Sequence, residues 1–312
     1  MLQGGLSTVV GVLGTDSISL SVETLANTVA GLNRLPITAY MYTGAYRSVP
    51  ASPTITGSVM KDIALLDSVI GVGEVAVADF RGSQLTVQQL ATLISDAQVG
   101  GLLGGKAGVV YAHLGNNDEM LSGLKEALRI SGVGIQQVIP THVSRTAALT
   151  AAAGEWLAAG GYADITAGSR AADVAAGYLE QGLPRDHILV SSDAYGSMPR
   201  FDAQKRLIGF DYARPSRLIS FLNNMLAKGY DLATALPLVT INPATALRLP
   251  RGKGQLLEEG DADVAVWALH SPQGAEPDAS GTLLELRHLY NRGVLARSPE
   301  CVAKDMFEDA PP

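Results

Sequence analysis

The feature that most constrains the fold is a repeat in which a short, apolar, β-branched run is followed by a stretch of helical periodicity. Between the runs, apolar residues recur every three or four positions, as in helices that pack one face on a sheet. Strands alternating with helices at this spacing predict βαβ units and a parallel sheet. The seven runs begin at Ser7, Ile37, Val72, Ala107, Ile135, Tyr162 and His187.

Seven predicted strands are one fewer than a closed (β/α) barrel requires. We therefore predict an α/β fold in which residues 1–250 form a TIM-like (β/α) barrel lacking its first strand. Residues 251–312 differ, because GKGQLLEEGDADVAVWAL and LLELRHLYNRGVLAR are alternating runs punctuated by glycine. Such runs are typical of short antiparallel strands, and we assign them to the remnant of a small β-domain with a tail.

Ligand-capable side chains accompany four of the predicted strands. AGVVYAHLG ends near His113, and IQQVIPTHV delivers His142 twenty-nine residues later. HILVSSDAYGS leads to Asp193, while GVGEVAVADF has Glu74 at the start of its alternating run. Because the C-terminal ends of barrel strands meet at one mouth, two imidazoles and two carboxylates there favour a metal site.

Each candidate ligand has a structural alternative. A lone histidine such as His113 or His142 is more often a satisfied structural side chain, but their shared position on consecutive strands favours ligation. Glu74 could be a solvated carboxylate, yet among glycines and valines it needs a cation or hydrogen-bond donors to offset desolvation. Asp193 either caps the following turn or, beside a metal, passes a proton from water to a leaving amine.

Arg81, Arg145 and Tyr46 also follow strand ends. One exposed arginine is usually a surface ion-pair partner, but two arginines near a metal suit a substrate with carboxylates, since guanidinium binds carboxylate through two hydrogen bonds. The segment GGLLGGKAG follows a helix predicted from Thr86 to Ala97 and lacks the spacing of a phosphate-binding loop. We interpret it as a tight turn.

Composition excludes several classes of protein. Hydrophobic residues make up 47% and charged residues 17% of the chain, which excludes a disordered protein. A net charge of −7 without any basic run argues against a nucleic-acid partner. The N-terminal residues resemble neither a signal peptide nor a membrane span. The single cysteine, Cys301, cannot pair within the chain and favours a reducing, cytoplasmic location.

Several motifs in this order resemble those of the isoaspartyl (β-aspartyl) dipeptidases, metal-dependent hydrolases of the amidohydrolase superfamily. They are VGVLGTDS, YTGAY, TITGSV, ADFRGS, GGLLGGKAGV with HLG, PTHVSR, SSDAYGS and GDADVAV. The resemblance covers nearly the whole chain. It implies zinc-dependent hydrolysis of the isopeptide bond of β-aspartyl dipeptides by metal-activated water.

The resemblance also implies roles for the metal ligands. His113 and His142 would bind one zinc, Asp193 would bind the other and shuttle a proton, and Glu74 would bridge the two. The family carries a carboxylated lysine at the position of Glu74. A glutamate offers the same terminal carboxylate.

For the substrate, the resemblance implies roles for four further residues. Tyr46 would polarise the scissile carbonyl, Arg81 and Arg145 would hold carboxylates, and Ser197 would place the aspartyl part. The expected partner is thus a small dipeptide, with neither nucleic acid nor membrane, and we expect a homo-oligomer.

One departure from the family concerns its first barrel strand, which carries an HxH pair followed by a glutamate for the substrate's amino group. No HxH occurs in the 312 residues. We therefore expect a fragment or truncated gene product that starts inside the barrel, binds one zinc or none, and has impaired activity. The alternatives are another amidohydrolase acting on amides or cyclic amides, or a noncatalytic remnant or scaffold.

Overall fold

Seven parallel strands, in a curled five-stranded sheet and an adjoining two-stranded sheet, organise the protein. The computed structural model describes residues 1–47, 53–204, 206–270 and 283–298. Strands β1 to β5 pair in parallel in chain order, β6 pairs in parallel with β7, and the Val143 N–H donates to the Asp164 carbonyl (3.4 Å) where β5 meets β6. The strands are β1 (Thr8–Gly11), β2 (Thr38–Thr43), β3 (Val69–Val77), β4 (Val109–Leu114), β5 (Val138–Thr141), β6 (Ala163–Thr166) and β7 (Ile188–Ser191).

Helices connect these strands and cover the outside of the sheet. Four of them begin at hydroxyl residues, Ser21, Ser58, Thr86 and Thr146, whose side chains accept a hydrogen bond from the first turn. After β7 come a hairpin, β8 (Ser197–Phe201) and β9 (Leu207–Tyr212), and the last helices. The helices are α1 (Val22–Asn33), α2 (Val59–Leu65), α3 (Val87–Gly104), α4 (Ser122–Ser131), α5 (Ala147–Ala158), α6 (Ala171–Glu180), α7 (Arg217–Ala227), α8 (Leu232–Ala235) and α9 (Ile241–Ala246).

The concave side of the sheet is filled in layers, as the two-residue period of strands requires. The lowest layer is apolar and includes Val109, Ile139 and Leu189. The next layer, two residues further along the strands, is polar: Tyr111, Thr141, Asp164 and Ser191. Above it the strands end at the mouth. The packed lower layers therefore carry a polar site at the C-terminal ends of the strands.

A three-stranded antiparallel sheet follows, formed by β10 (Val264–His270), β11 (Leu283–Asn291) and β12 (Val294–Arg297). Lys253, which is buried, joins it to the barrel, because its Nζ donates to Thr38 Oγ1 (2.9 Å) and contacts Asp263 Oδ2 (2.8 Å) and Asp261 Oδ2 (2.9 Å). Asn291 Nδ2 donates to the Ser7 carbonyl (3.0 Å). This sheet confirms the predicted antiparallel strands.

The glycine-rich segment that was interpreted as a tight turn is the end of a helix, and that interpretation was wrong. Helix α3 continues through Gly104 and is capped by Gly105, which has a φ of 64°. A Cβ on Gly101 would lie 2.8 Å from the Cα of Gly108. Glycine here lets the helix approach the start of β4 closely.

The position of Glu74 also differs from the prediction. It lies inside β3, which begins at Val69, and not at the start of a strand. A Cβ on Gly71 would lie 2.4 Å from the Val109 carbonyl oxygen, and one on Gly73 would lie 2.7 Å from the Cβ of Tyr111. These glycines bring β3 close to β4 and do not mark a boundary.

The predicted barrel with seven strands is confirmed. Among the described residues, β1 and β7 are not paired with each other, so the curled sheet is open between them. The division of the chain at residue 250 stays a prediction. In the described parts of the chain, no helix has both the length and the hydropathy needed to cross a membrane.

Candidate metal centre at the mouth of the sheet

Glu74 and His113, in the C-terminal halves of β3 and β4, come together with His142, which directly follows β5. All three are buried, and one ligand atom of each lies within 4.8 Å of the others. His113 Nδ1 is 3.1 Å from Glu74 Oε2, and His142 Nε2 is 3.7 Å from Glu74 Oε1. The structure thus brings together three of the four predicted ligands.

The protonation states of this triad are those that a cation needs. Burial opposes the charge on Glu74, but donation from His113 and the nearby His142 outweighs it and holds the pKa of Glu74 well below its usual range. Burial lowers the pKa of His113 to about 4, despite its hydrogen bond to Glu74. Near neutral pH the site therefore offers a carboxylate and a neutral imidazole, which are the ligating forms.

The unsatisfied polar atoms of the triad also fit a metal. His142 Nε2 is buried and, among the described residues, has no hydrogen-bond partner, although Glu74 is close by. His142 Nδ1 is 2.5 Å from Thr166 Oγ1, and His113 Nε2 is 2.9 Å from Arg81 Nη2 and 3.4 Å from Asp79 Oδ2. Metal-ligating histidines characteristically engage such a partner through their other ring nitrogen. One carboxylate and two imidazoles suit zinc.

Two guanidinium groups lie beside the triad on a shared carboxylate. Arg81 donates to Asp79 through Nε (2.9 Å to Oδ1) and Nη2 (2.6 Å to Oδ2), and Arg145 Nη1 is 3.7 Å from Asp79 Oδ2. Burial opposes ionisation of Asp79, but the hydrogen bonds from Arg81 hold its pKa well below the usual range. The Arg81 and Arg145 side chains are 33% and 26% exposed, so solutes can reach them. The sequence placed Asp79 at this strand end but gave it no role.

Tyr46 completes this side of the mouth. Its ring centroid is 4.2 Å from that of His113, and the Arg81 guanidinium carbon is 5.2 Å from the Tyr46 ring centroid. Burial, and then the charge of Glu74, raise the pKa of the Tyr46 phenol well above its ordinary value. The hydroxyl therefore remains a hydrogen-bond donor at neutral pH.

Asp193 and Ser197 lie beyond β7, outside the triad. Burial raises the pKa of Asp193, and His142 acts in the opposite direction. Ser197 begins β8 and is exposed. The predicted ligand role of Asp193 and substrate role of Ser197 stay predictions.

Two polar residues of β6, Asp164 and Thr166, received no role from the sequence. Asp164 is 2% exposed and accepts hydrogen bonds from three hydroxyls, while Thr166 contacts His142. The available signal was their spacing, because polar residues two positions apart in a buried strand share one face.

A curled parallel sheet with a buried carboxylate–imidazole triad at its C-terminal mouth defines a metal-dependent hydrolase built on a TIM-like barrel. The chain matches a β-aspartyl dipeptidase from the thermophilic, keratin-degrading Fervidobacterium islandicum AW-1, solved in complex with a β-Asp-Leu dipeptide. The TM-score is 0.84 and the identity 34%, over 95% of this chain and 76% of the other. The chain belongs to the β-aspartyl dipeptidase family, which confirms the resemblance found in its motifs.

More distant structures share the fold alone. An enamidase described as a member of the amidohydrolase superfamily matches with a TM-score of 0.61 and 14% identity, over 95% of this chain and 74% of its own. A dihydroorotase matches with a TM-score of 0.60 and 16% identity, over 94% and 79% of the two chains. No known protein-family model matches the chain.

Proposed function

We propose that this protein hydrolyses the isopeptide bond of β-aspartyl dipeptides and that its metal is zinc. The observation that carries the proposal is the buried triad of Glu74, His113 and His142 beside two partly exposed guanidinium groups. The related dipeptidase whose structure contains β-Asp-Leu supports the choice of substrate.

The charge of the site supports an anionic substrate. Ionised Glu74, Asp79 and Asp193 against Arg81 and Arg145 leave one net negative charge, which a divalent cation would convert to one net positive charge. A β-aspartyl dipeptide with a neutral side chain carries two carboxylates and one ammonium group. Its net negative charge therefore complements the metal-loaded site.

Glu74, His113 and His142 would hold the ion. A divalent zinc ion in such a site supplies Lewis-acid polarisation of a carbonyl and a water nucleophile at neutral pH. Arg81 Nη2, which can only donate, lies 2.9 Å from His113 Nε2, so without the ion the ring proton is on Nδ1 and is donated to Glu74 Oε2 at 3.1 Å. Binding of the ion through Nδ1 would therefore release this proton. Asp79 orients both guanidinium groups and, through Arg81, acts on this imidazole.

The remaining residues bind substrate and move protons. Arg81 and Arg145 hold substrate carboxylates, Tyr46 donates its phenolic hydrogen to the scissile carbonyl oxygen, and Ser197 contacts the aspartyl part. A carboxylate oxygen of Asp193 accepts a proton from the attacking water and delivers it to the departing amine nitrogen. The water oxygen forms a bond to the aspartyl Cγ and the bond between Cγ and that nitrogen breaks, which yields aspartate and a free amino acid.

The test measures release of leucine from β-Asp-Leu by the zinc-supplemented chain, with α-Asp-Leu as the substrate control. We expect slow cleavage of the β-linked peptide, because no HxH pair occurs in the 312 residues. Asp193→Asn should lower the rate further by about 10²- to 10⁴-fold, since this is the usual contribution of a general acid–base. Asp186→Asn is the matched control, because Asp186 is exposed and precedes β7, at the end of that strand opposite to Asp193. No cleavage by the parent chain, or undiminished cleavage by Asp193→Asn, contradicts the proposal.

We also propose that the protein is cytoplasmic and self-associates. The single cysteine of the sequence supports a reducing compartment. Exposed apolar side chains on the β8–β9 hairpin, among them Ile208, Phe210 and Tyr212, support association. Light scattering of the purified chain at several concentrations tests the second point, and a monomer throughout contradicts it.

A further inference from the structure

Strand β6 contributes none of the proposed ligands, yet its Asp164 is the centre of a buried network. Asp164 Oδ2 accepts hydrogen bonds from Tyr111 OH (2.8 Å), Thr141 Oγ1 (2.5 Å) and Ser191 Oγ (2.8 Å). Each donor belongs to a different strand, so one carboxylate oxygen joins β6 to β4, β5 and β7.

The three donors precede the proposed ligands by one or two residues. Tyr111 lies two residues before His113, Thr141 immediately before His142, and Ser191 two residues before Asp193. Any shift of one strand against the others would lengthen a hydrogen bond to Asp164. The network therefore fixes the positions of β4, β5 and β7 relative to one another along the strand direction, directly below the mouth.

Thr166, the next residue on the same face of β6, acts on one ligand directly. Its Oγ1 is 2.5 Å from His142 Nδ1. For Nε2 to present its lone pair toward Glu74, the ring proton must lie on Nδ1 and be donated to Thr166 Oγ1. Thr166 thus selects the ring orientation and the tautomer that ligation requires.

We propose that β6 is a positioning strand, in which Asp164 sets the spacing of the strands that carry the ligands and Thr166 sets the orientation of His142. The inference rests on the proposed metal site. Neither residue contacts the ion or the substrate, and both act through other residues. The competing interpretation is a purely structural polar network, in which substitution lowers the stability of the fold and leaves metal affinity unchanged.

The experiment measures the zinc affinity of the full chain by competition with a chelating dye, together with the visible absorption of Co²⁺ as a report on ligand geometry. Substitution of a residue that hydrogen-bonds to a metal ligand typically lowers metal affinity by 10- to 100-fold. We expect Asp164→Asn and Thr166→Val to weaken zinc binding about 10-fold or more and to alter the Co²⁺ spectrum. Thr166→Ser, which retains the hydroxyl, should bind zinc like the parent.

Asp62, a second buried aspartate that accepts a hydrogen bond from a threonine, provides matched controls. Asp62 is 1% exposed and its Oδ2 accepts a hydrogen bond from the fully buried Thr43 Oγ1 (2.6 Å). These residues lie on α2 and at the end of β2, which carry no proposed ligand. Asp62→Asn and Thr43→Val should therefore lower the thermal midpoint without changing zinc affinity.

Parent-like zinc binding by both Asp164→Asn and Thr166→Val overturns the inference, as does an equal loss in the two controls. Where Asp164→Asn does not fold, the comparison of Thr166→Val with Thr166→Ser decides. A parent chain that binds no zinc overturns the inference together with the metal site. A zinc-loaded parent that fails to cleave β-Asp-Leu overturns only the proposed substrate, and weakened zinc binding by the β6 variants would still support their positioning role.

Discussion

The charge on Glu74 is central to the mouth, because this side chain is buried and still ionised. His113 donates to one oxygen of Glu74 at 3.1 Å, while His142 Nε2 faces the other without a hydrogen bond. A neutral group of the same shape would keep the packing and lose the attraction for a cation.

Replacing Glu74 with glutamine isolates that charge. We expect Glu74→Gln to weaken zinc binding by more than about 100-fold, which exceeds the usual effect of residues that merely orient ligands. Glu126→Gln is the control, because Glu126 is partly exposed on α4 and pairs there with Arg129 at the surface. The assay is competition with a chelating dye, and equal affinity in the two variants would contradict the assignment of Glu74 as a ligand.

Arg145 provides a test of substrate binding that leaves the metal in place. We expect Arg145→Met to lower kcat/KM for β-Asp-Leu by about 10- to 100-fold, mainly through KM, since hydrogen bonds to charged groups contribute about 1.5–3 kcal/mol. Zinc affinity should stay that of the parent. Arg129→Met, on the surface of α4, is the matched control. An unchanged KM in Arg145→Met would remove this residue from the substrate site.

At this scale the sequence predicted Glu74, His113 and His142 but gave no role to Asp79 or Asp164. His113 and His142 were recognisable because each lies at or just after the end of an apolar run. Asp164 lies within a four-residue strand, and its role depends on hydroxyls from three other strands. Contacts between strands far apart in sequence leave no periodic pattern in any one of them.

Among the elements, the contact between α3 and β4 depends most visibly on glycine. Gly108 has a φ of 60°, and a Cβ there would lie 2.3 Å from the Ala97 carbonyl oxygen of α3. Gly132, which caps α4, has a similar φ of 69° but open space around it. Comparing alanine substitutions at Gly108 and Gly132 therefore separates the energetic cost of the left-handed conformation from the cost of the steric contact.

We expect Gly132→Ala to cost about 1–2 kcal/mol from the left-handed conformation alone. Gly108→Ala should cost about 1–3 kcal/mol more, because the added methyl group must displace the helix backbone. Urea unfolding followed by circular dichroism measures both. Equal midpoints for the two variants would show that α3 can move away from β4 without loss.

Glycine also explains where the predicted elements were wrong. Glycines normally interrupt helices and strands, so GGLLGGKAG was interpreted as a turn, and the strand of Glu74 was predicted to begin at Val72, after Gly71. In the structure these glycines permit close approach between neighbouring elements. The β8–β9 hairpin was not predicted either, because its side chains are largely exposed and lack the apolar alternation of a half-buried strand.

For the whole molecule, a buried lysine connects the two sheets. Lys253 is 4% exposed and contacts Asp261 and Asp263 of the C-terminal part as well as Thr38 of the barrel. Methionine at this position would leave buried carboxylate charge without its cation. The order of the parallel strands was predictable from their alternation with helices, whereas this connection joins residues more than two hundred positions apart.

We expect Lys253→Met to destabilise the protein by about 3–5 kcal/mol, the usual cost of removing one partner of a buried ion pair. Lys125→Met should cost less than about 1 kcal/mol, since its pair with Glu155 is at the surface. Thermal unfolding in the same buffer compares the two. A small effect of Lys253→Met would mean that water replaces the ammonium group and the two sheets are joined mainly by apolar contacts.

The three ligands come from three successive strands, and their positions are separated by thirty-nine and twenty-nine residues. An unfolded chain cannot assemble such a set, so zinc would act as a removable crosslink that exists only in the native state. At a free zinc concentration of about 1,000 times the dissociation constant, the folded state gains about 4 kcal/mol. Cellular zinc supply would then govern how long each molecule survives proteolysis. Protease digestion with zinc and with a chelator measures this, and equal lifetimes would show that the fold holds its shape without the ion.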